Sequence, residues 1–290
     1  MAELLYHYMP SGFSHGIGLN NSNVQLWLFG VPTAHILLSL IFRSINAWPT
    51  PTNRPSLNPK TNSRVSDMVA YNTVAGLVCC YQAYYGIICQ FGFFGNTELK
   101  TLQNVQGESY TRFYGNSEMI QEKLMIPMFG YQLYNFILCF LMNDAWSLAM
   151  VGHHFFTGTL AFMGLFPYMH CKAVFFFGVA EFSNVFLTCR DFFKYIPDSK
   201  TNYPFLYYLS SILFGTSFII VRMIMWPYFC YDFWMDSIYL IQSGNAHSNF
   251  VVISFLVANV FLTGLQFYWG EMIFAIMFGK NKKQNKQKKN

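Results

Sequence analysis

The chain has 290 residues, of which 53% are hydrophobic, 20% are aromatic and only 11% are charged, and its formal net charge is +5. Soluble domains carry about 25% charged residues, so the composition excludes an ordinary soluble domain and predicts a multi-pass membrane protein. The only dense basic run is a short C-terminal segment, so nothing in the composition indicates a nucleic-acid partner. The seven cysteines lie in or beside apolar runs without C-x-x-C spacing, which predicts small buried side chains and not a disulfide framework or a zinc cluster.

Apolar segments long enough to cross a bilayer recur along the chain. They lie at about 24–42, 68–94, 124–142, 145–166, 173–189, 205–230 and 250–278. Between the first two, residues 43–67 contain four prolines and four basic residues, which predicts an extended connector. Residues 95–123 lack a long apolar run, so we expect a surface excursion there. We therefore predict an all-α membrane protein with about seven transmembrane helices.

The distribution of basic residues predicts the orientation. With the C-terminus on the inner side, the inner segments hold thirteen Lys and Arg residues and the outer segments hold four. This bias agrees with the positive-inside rule and places the N-terminus outside. In the tail, Lys286 and Lys288 match the spacing of a dilysine endoplasmic-reticulum retrieval signal. We expect an integral membrane protein of the endoplasmic reticulum, with the mitochondrial inner membrane as the alternative.

Ionisable residues inside the apolar segments are the first candidates for function. Burying such a side chain in hydrocarbon costs about 2.5–3.5 kcal/mol on insertion scales, so it is rarely kept without a role. His153 and His154 lie near the middle of the fourth segment, and Glu181 lies in the fifth. The i,i+4 spacing by which one helix chelates a metal is absent, and we expect neither a metal nor a cofactor. A histidine oriented by Glu181 or Asp144 could act as a base or nucleophile, but both could equally be hydrogen-bonded core residues.

A polar stripe follows the fifth segment. Glu181, Asn184, Thr188 and Asp191 share one helix face, which we expect to point into the bundle. In the sixth segment Arg222 could approach a carboxylate. The alternative is that these polar groups only hold helices together, through interhelical hydrogen bonds worth about 0.6 kcal/mol each.

Four motifs on successive hydrophobic segments resemble the TLC-domain family, which includes ceramide synthases and a larger set of lipid-homeostasis proteins. They are Ser63-Arg64-Val65-Ser66, then Gly130-Tyr131-x-x-Tyr134-Asn135, then Asp144 followed by His153-His154, then Glu181-Phe182-Ser183-Asn184-Val185-Phe186-Leu187 with Arg190. The resemblance covers about 61–278 and implies a six-helix bundle or barrel around a lipid-sized cavity. It implies three parts: an N-terminal segment with one helix and the Pro-rich loop (1–60), the TLC-like domain (61–278) and a Lys-rich tail (279–290).

The resemblance also implies a function. In the ceramide-synthase branch, a paired histidine and a downstream His-Asp pair serve N-acylation of a sphingoid base from acyl-CoA. His153 and His154 match the pair, but no His-Asp dipeptide follows, and Asn135 stands where the motif often has an aspartate. We therefore expect binding or handling of a membrane lipid, with acyl-CoA as a ligand only if the protein is an enzyme.

The sequence thus predicts two groups of site residues. His153 and His154 are the catalytic candidates. The candidates for a lipid cavity or polar network are Asn135, Asp144, Glu181, Asn184, Thr188, Arg190, Asp191 and Arg222. The alternative function is that of a non-catalytic accessory subunit of a large membrane complex, such as a mitochondrial respiratory assembly, with other membrane subunits as partners.

Overall fold

The computed structural model describes residues 19–44, 60–91, 108–142, 145–196 and 198–278. Within these ranges the chain forms helices and no strand, which confirms the predicted all-α class. The main helices are α1 (Ser22–Ser44), α2 (Lys60–Gln90), α3 (Glu108–Tyr114), α4 (Ile126–Leu141), α5 (Leu148–Met163), α6 (Phe182–Tyr195), α7 (Pro204–Phe218), α8 (Trp226–Gln242) and α9 (Asn249–Phe278). Short helices cover Glu118–Ile120, His170–Ala173 and Ser199–Asn202, and a 3₁₀ turn covers Val179–Glu181.

Three π-helical segments interrupt the longer helices. They are Gln121–Met125 before α4, Val174–Gly178 shortly before α6, and Ile219–Met225 between α7 and α8. A π turn adds a residue to the helical repeat, so side chains beyond it point in directions that a regular helix would not give them. The last two segments position charged residues of the candidate site.

Helical stretches long and apolar enough to cross a membrane account for most of the predicted spans. Among the described residues there are five, namely Ser22–Ser44, Glu108–Leu141, His170–Tyr195, Pro204–Gln242 and Asn249–Met277. The other two predicted spans coincide with α2 and α5, which are not among these five. α2 carries the buried polar residues Asn72 and Gln82, and α5 is short, with 16 residues. The chain is therefore an integral, multi-pass membrane protein.

Two predicted loop segments are helical over part of their length. The extended connector was predicted over 43–67, but α1 continues to Ser44 and α2 already begins at Lys60. The prediction was wrong for 60–67 because these residues are polar but contain no proline after Pro59, so nothing prevents the helix from extending beyond the apolar run. Residues 45–59 lie outside the described ranges.

The surface excursion predicted over 95–123 was wrong for the described residues 108–123. Tyr110, Phe113 and Tyr114 of α3 are buried, and their i, i+3, i+4 spacing places them on one helix face. Arg112 on the same helix forms an ion pair with Asp236 of α8, in which Nη2 of Arg112 lies 2.5 Å from Oδ1 of Asp236. The prediction was wrong because charged residues lower the mean hydropathy of this segment, so its buried aromatic face is not apparent in the sequence.

Six helices, α2, α4, α5, α6, α7 and α9, surround the centre of the bundle, and α1 packs outside against α2 and α4. A Cβ atom on Gly130 of α4 would lie 2.8 Å from Cβ of Trp27 on α1, so the glycine permits this close approach. Asp67 of α2 also holds α1, because it accepts hydrogen bonds from Arg43 at 2.6 and 2.7 Å and from Ser39.

The tightest helix contact joins α2 to the π segment before α6. A Cβ atom on Gly86 or on Gly178 would lie 2.4 Å from backbone atoms of the other residue. Only glycine fits at such a crossing without moving one backbone. The contact places Glu181, three residues after Gly178, beside Cys79 of α2.

A partly buried charge cluster joins the elements at the bundle end where α8 terminates. The Lys172 side chain is only 5% exposed and its Nζ contacts the carboxylates of Asp232 and, at 2.8 Å, Asp236. Asp236 also pairs with Arg112. The cluster thus ties α3 and α8 to the short helix His170–Ala173.

Candidate functional site

A cavity of about 440 Å³ lies inside the ring of six helices. Its volume falls within the range of about 300–1,000 Å³ found for small-molecule sites. One end, which we call the mouth, is lined by Arg190, Asp191, Lys194, Tyr195 and Ile276. The other end, the deep end, is lined by Asn135, His153, His154, Glu181, Arg222 and Gln266. Apolar walls connect them and include Leu138, Leu187, Phe214, Phe218, Met272 and Ile273.

Nine of the ten residues predicted from the sequence line this one cavity. Six of them belong to the deep end or lie next to it, and Thr188, Arg190 and Asp191 follow along α6 towards the mouth. The full set is Asn135, His153, His154, Glu181, Asn184, Thr188, Arg190, Asp191 and Arg222. The tenth, Asp144, lies outside the described residues. Their chemical roles remain predictions.

Glu181 and Arg222 form a buried ion pair at the deep end. Their side chains are 8% and 5% exposed, and Oε1 lies 3.6 Å from the guanidinium NH2. Oε2 accepts hydrogen bonds from Asn184 Nδ2 at 2.8 Å and from Cys79 Sγ at 3.4 Å. Arg222 Nε donates to Ser183 Oγ at 3.3 Å. Each charge therefore has an opposite charge and a hydrogen-bond partner, as buried charges require.

Non-α geometry sets the directions of both charged side chains. Glu181 ends the 3₁₀ turn that follows the π segment Val174–Gly178, and Arg222 lies within the π segment Ile219–Met225. π turns occur frequently at functional sites because they redirect side chains. The sequence indicated that Arg222 could reach a carboxylate, but it gave no signal for these turns.

The two histidines have different environments. His154 Nδ1 lies 2.6 Å from Oε1 of Gln132, and because an amide oxygen only accepts, the imidazole Nδ1–H must donate. The His153 ring lies 5.0 Å from the His154 ring and 5.4 Å from that of Trp269. Within the described ranges, its buried Nδ1 has no hydrogen-bond partner.

Neither histidine is oriented by a carboxylate in the described part of the chain. Glu181, one of the two predicted orienting groups, bonds Asn184 and Cys79 and faces Arg222. Sequence reasoning missed the actual partner of His154, Gln132. Its position three residues before Asn135 on the same face of α4 was the available signal.

A second, narrower cavity of about 40 Å³ adjoins the deep end. It shares His153, Glu181 and Arg222 with the main cavity and reaches Lys172 towards the other end of the bundle. Its remaining lining is almost entirely apolar, with side chains such as Phe176 and Phe255. The Glu181–Arg222 ion pair therefore lies between the main cavity, which has polar residues at both ends, and the smaller, mostly apolar cavity.

The mouth carries an excess of positive charge. Arg190 pairs with Asp191 at 2.7 Å and lies over the ring of Phe214, 4.9 Å from its centroid. Lys194 is exposed, and its Nζ lies 3.2 Å from the Tyr195 hydroxyl. Lys194 has no carboxylate within ion-pair distance among the residues that the structure describes. An anionic group at the mouth could therefore form an ion pair with Lys194.

The residues that line the cavity are mostly apolar, with a few polar groups. Among the described residues, no three His, Cys, Asp or Glu side chains are grouped so that they could hold a metal ion. The lining combines aromatic and aliphatic walls with a few polar groups, which is the usual composition of sites for organic ligands.

Comparison with known proteins gives the family. A family model described as the TLC domain matches residues 58–275, which is most of the chain. No curated protein and no solved structure matches the chain significantly. The chain belongs to the TLC-domain family.

Proposed function

We propose that this protein binds a membrane lipid in its central cavity and serves lipid homeostasis without acyl transfer. One observation carries the proposal: the cavity has apolar walls and a polar deep end within the membrane-spanning bundle. An amphiphile has the same division, so its chain would lie along Phe214, Phe218 and Ile273 while its polar group reaches the deep end.

The cavity wall formed by α7 and α9 supports entry from the bilayer. Met272 is 43% exposed and Ile276 is 78% exposed, and both line the cavity. We infer that the apolar chain of a lipid enters the cavity from the bilayer beside these two apolar residues.

The hydrogen bonds of the deep end favour binding over catalysis. General acid–base catalysis by histidine requires an imidazole held in reach of the reacting proton and is commonly supported by an orienting carboxylate. In the described part of the chain, Glu181 faces Arg222 and His154 bonds an amide. His153 and His154 would then act as polar contacts for the ligand.

Photo-crosslinking in cells tests the proposal. Cells expressing the protein are fed a fatty acid bearing a diazirine and an alkyne, irradiated, and the lipid-labelled protein is quantified. Ala75 is 2% exposed and lines the cavity, so Ala75→Trp should fill it and reduce labelling severalfold. Leu77 lies on the same helix and is 66% exposed on the outer surface, so Leu77→Trp should keep wild-type labelling.

Equal labelling of both variants would contradict the proposal, since it would place the captured lipid outside the cavity. Gel-filtration profiles of the purified variants must match that of the wild type for the comparison to count. Ala75→Leu provides a milder change that reduces the cavity with less risk to folding.

We also propose the endoplasmic reticulum as the compartment, on the basis of Lys286 and Lys288 in the tail, which lies outside the described residues. Replacing both with serine should redistribute a fluorescently tagged protein from a reticular pattern to later secretory membranes. A mitochondrial pattern for the wild type would contradict this proposal and favour the accessory-subunit alternative.

A further inference from the structure

We propose that the polar group recognised at the deep end is an uncharged hydrogen-bond donor, such as a lipid hydroxyl or amide N–H, and not a phosphate, a carboxylate or an ammonium. This inference rests on the proposed lipid-binding function and specifies the chemistry of the ligand. It depends on two features of the deep end, its unused hydrogen-bonding atoms and its balance of charge.

The first unused atom is the amide oxygen of Asn135 on α4. Its Nδ2 donates to the carbonyl oxygen of Tyr131 at 3.0 Å. A carbonyl can only accept, so the amide cannot turn over and its oxygen must point away from that carbonyl. Oδ1 is buried and has no hydrogen-bond partner among the described residues, and Asn135 lines the cavity.

Gln266 on α9 repeats this arrangement. Its Nε2 donates to the carbonyl oxygen of Leu262 at 3.2 Å, which fixes the orientation of the amide. Its Oε1 is buried and, within the ranges that the structure describes, also lacks a partner. Asn135 and Gln266 lie on the two helices that pack against α5, the helix of the histidine pair, and both residues line the same cavity as the histidines.

The histidines add acceptor capacity. Because His154 Nδ1–H donates to Gln132, its neutral ring keeps the lone pair on Nε2 as an acceptor. The unpartnered Nδ1 of His153 can take either role. Every unused atom whose role is fixed is therefore an acceptor, and buried acceptors left without a donor are costly.

The charge balance of the deep end excludes an added charge. The carboxylate of Glu181 is offset by the guanidinium of Arg222, which also bonds Ser183 and lies 5.4 Å from the centre of the Trp226 ring. No third charged side chain lines the deep end among the described residues. A phosphate or an ammonium placed there would be buried without a counter-charge, whereas a hydroxyl or amide adds none.

A matched series of oleyl compounds tests the inference. The full-length protein in nanodiscs of neutral phospholipid is labelled with a diazirine analogue of oleyl alcohol, and unlabelled competitors are added at equal mole fraction. The competitors are oleyl alcohol, oleyl methyl ether, oleyl phosphate and oleylamine. We expect the alcohol to compete about fivefold to tenfold better than the ether, which corresponds to one lost hydrogen bond, and better than both charged compounds.

The possible outcomes separate the two claims. Equal competition by the ether would overturn the requirement for a donor. Stronger competition by the amine, or by the phosphate in a Lys194→Gln variant that lacks the exposed cation of the mouth, would overturn the requirement for neutrality at the deep end. In each of these cases lipid binding itself would stand. If the probe labels nothing that the alcohol can displace, both the inference and the proposed function fail.

A pair of glutamine variants provides an internal control. Gln266→Leu removes the unused oxygen from the cavity and should reduce the preference for alcohol over ether severalfold. Gln82 is also buried with an unpartnered Oε1 among the described residues, but it lines neither cavity. Gln82→Leu should therefore leave the preference unchanged. Equal effects of both variants would assign the change to general loosening of the bundle and contradict the inference.

Discussion

At the residue scale, the Glu181–Arg222 pair is the buried ion pair of the deep end of the cavity. Both side chains are almost completely buried, and their charges compensate each other at 3.6 Å. Removing one partner of a buried pair leaves an uncompensated charge, whereas replacing both with uncharged groups of similar size is often neutral.

Arg222→Met should therefore destabilise the protein by about 3–5 kcal/mol, because it leaves the Glu181 carboxylate without its counter-charge. The double variant Glu181→Gln/Arg222→Met should recover most of this loss. Thermal unfolding of the purified proteins in one detergent measures both effects. Equal stability of Arg222→Met and wild type would show that the pair does not balance charge as described.

Single residues also show what could be predicted from the sequence. Glu181 and His153 were identified because ionisable groups in apolar runs are costly and therefore conspicuous. The role of Gln266 could not be found in this way, because its unused oxygen follows from a bond to its own helix and from the helices that pack beside it. Asp144 was predicted because it could orient a histidine and because it belongs to the motif that resembles the TLC-domain family, but it lies outside the described residues.

At the element scale, close helix contacts and non-α turns place the site. The crossing of α2 with the π segment at Gly86 and Gly178 fixes the start of α6, and with it Glu181. The apolar runs predicted the long helices well, since their length and composition allow little else in a membrane. They could not predict the π segments, which depend on packing, or α3, whose charged residues conceal its buried aromatic face.

Gly86→Ala should destabilise the protein by about 1–3 kcal/mol, because the added methyl group would meet backbone atoms of Gly178 at 2.4 Å. Gly264→Ala is the matched control, since no atom lies within 4 Å of the position of its Cβ. The two variants are compared by thermal unfolding. If Gly86→Ala is no less stable than Gly264→Ala, α2 does not cross the π segment at this distance.

The turn between α8 and α9 should respond to acid through His247. Its Nε2 lies 2.6 Å from the Tyr110 hydroxyl, its ring stacks on Tyr114 at 3.9 Å, and burial lowers the pKa of His247 to about 4. In the unfolded chain the pKa of His247 is about 6.5. The neutral, buried imidazole therefore contributes fully to the free energy of unfolding above pH 6.5, and this contribution is lost as the pH falls towards 4.

Melting temperatures measured between pH 7.5 and pH 4.5 should therefore fall more steeply for the wild type than for His247→Phe, which keeps an aromatic ring on Tyr114 but cannot titrate. Parallel curves for the two proteins would mean that His247 is not held neutral in the turn.

At the scale of the whole molecule, the two ends of the cavity differ in chemistry. The mouth is formed by the C-terminal parts of α6 and α9, and the deep end contains the buried Glu181–Arg222 pair. The end of the bundle opposite the mouth is fastened by the partly buried cluster around Lys172. Under the proposed function, one lipid would be held between this fastened end and the mouth. The sequence predicted the membrane class and the family, but the shape of this cavity depends on how all six helices pack.

Native mass spectrometry of the full-length protein, extracted in mild detergent, tests most directly whether the cavity holds a lipid. We predict a species at the mass of the 33.6 kDa chain plus one lipid molecule, strongly reduced in Ala75→Trp and retained in Leu77→Trp. A folded wild-type protein that carries no lipid, or an adduct equally abundant in Ala75→Trp, would contradict the account.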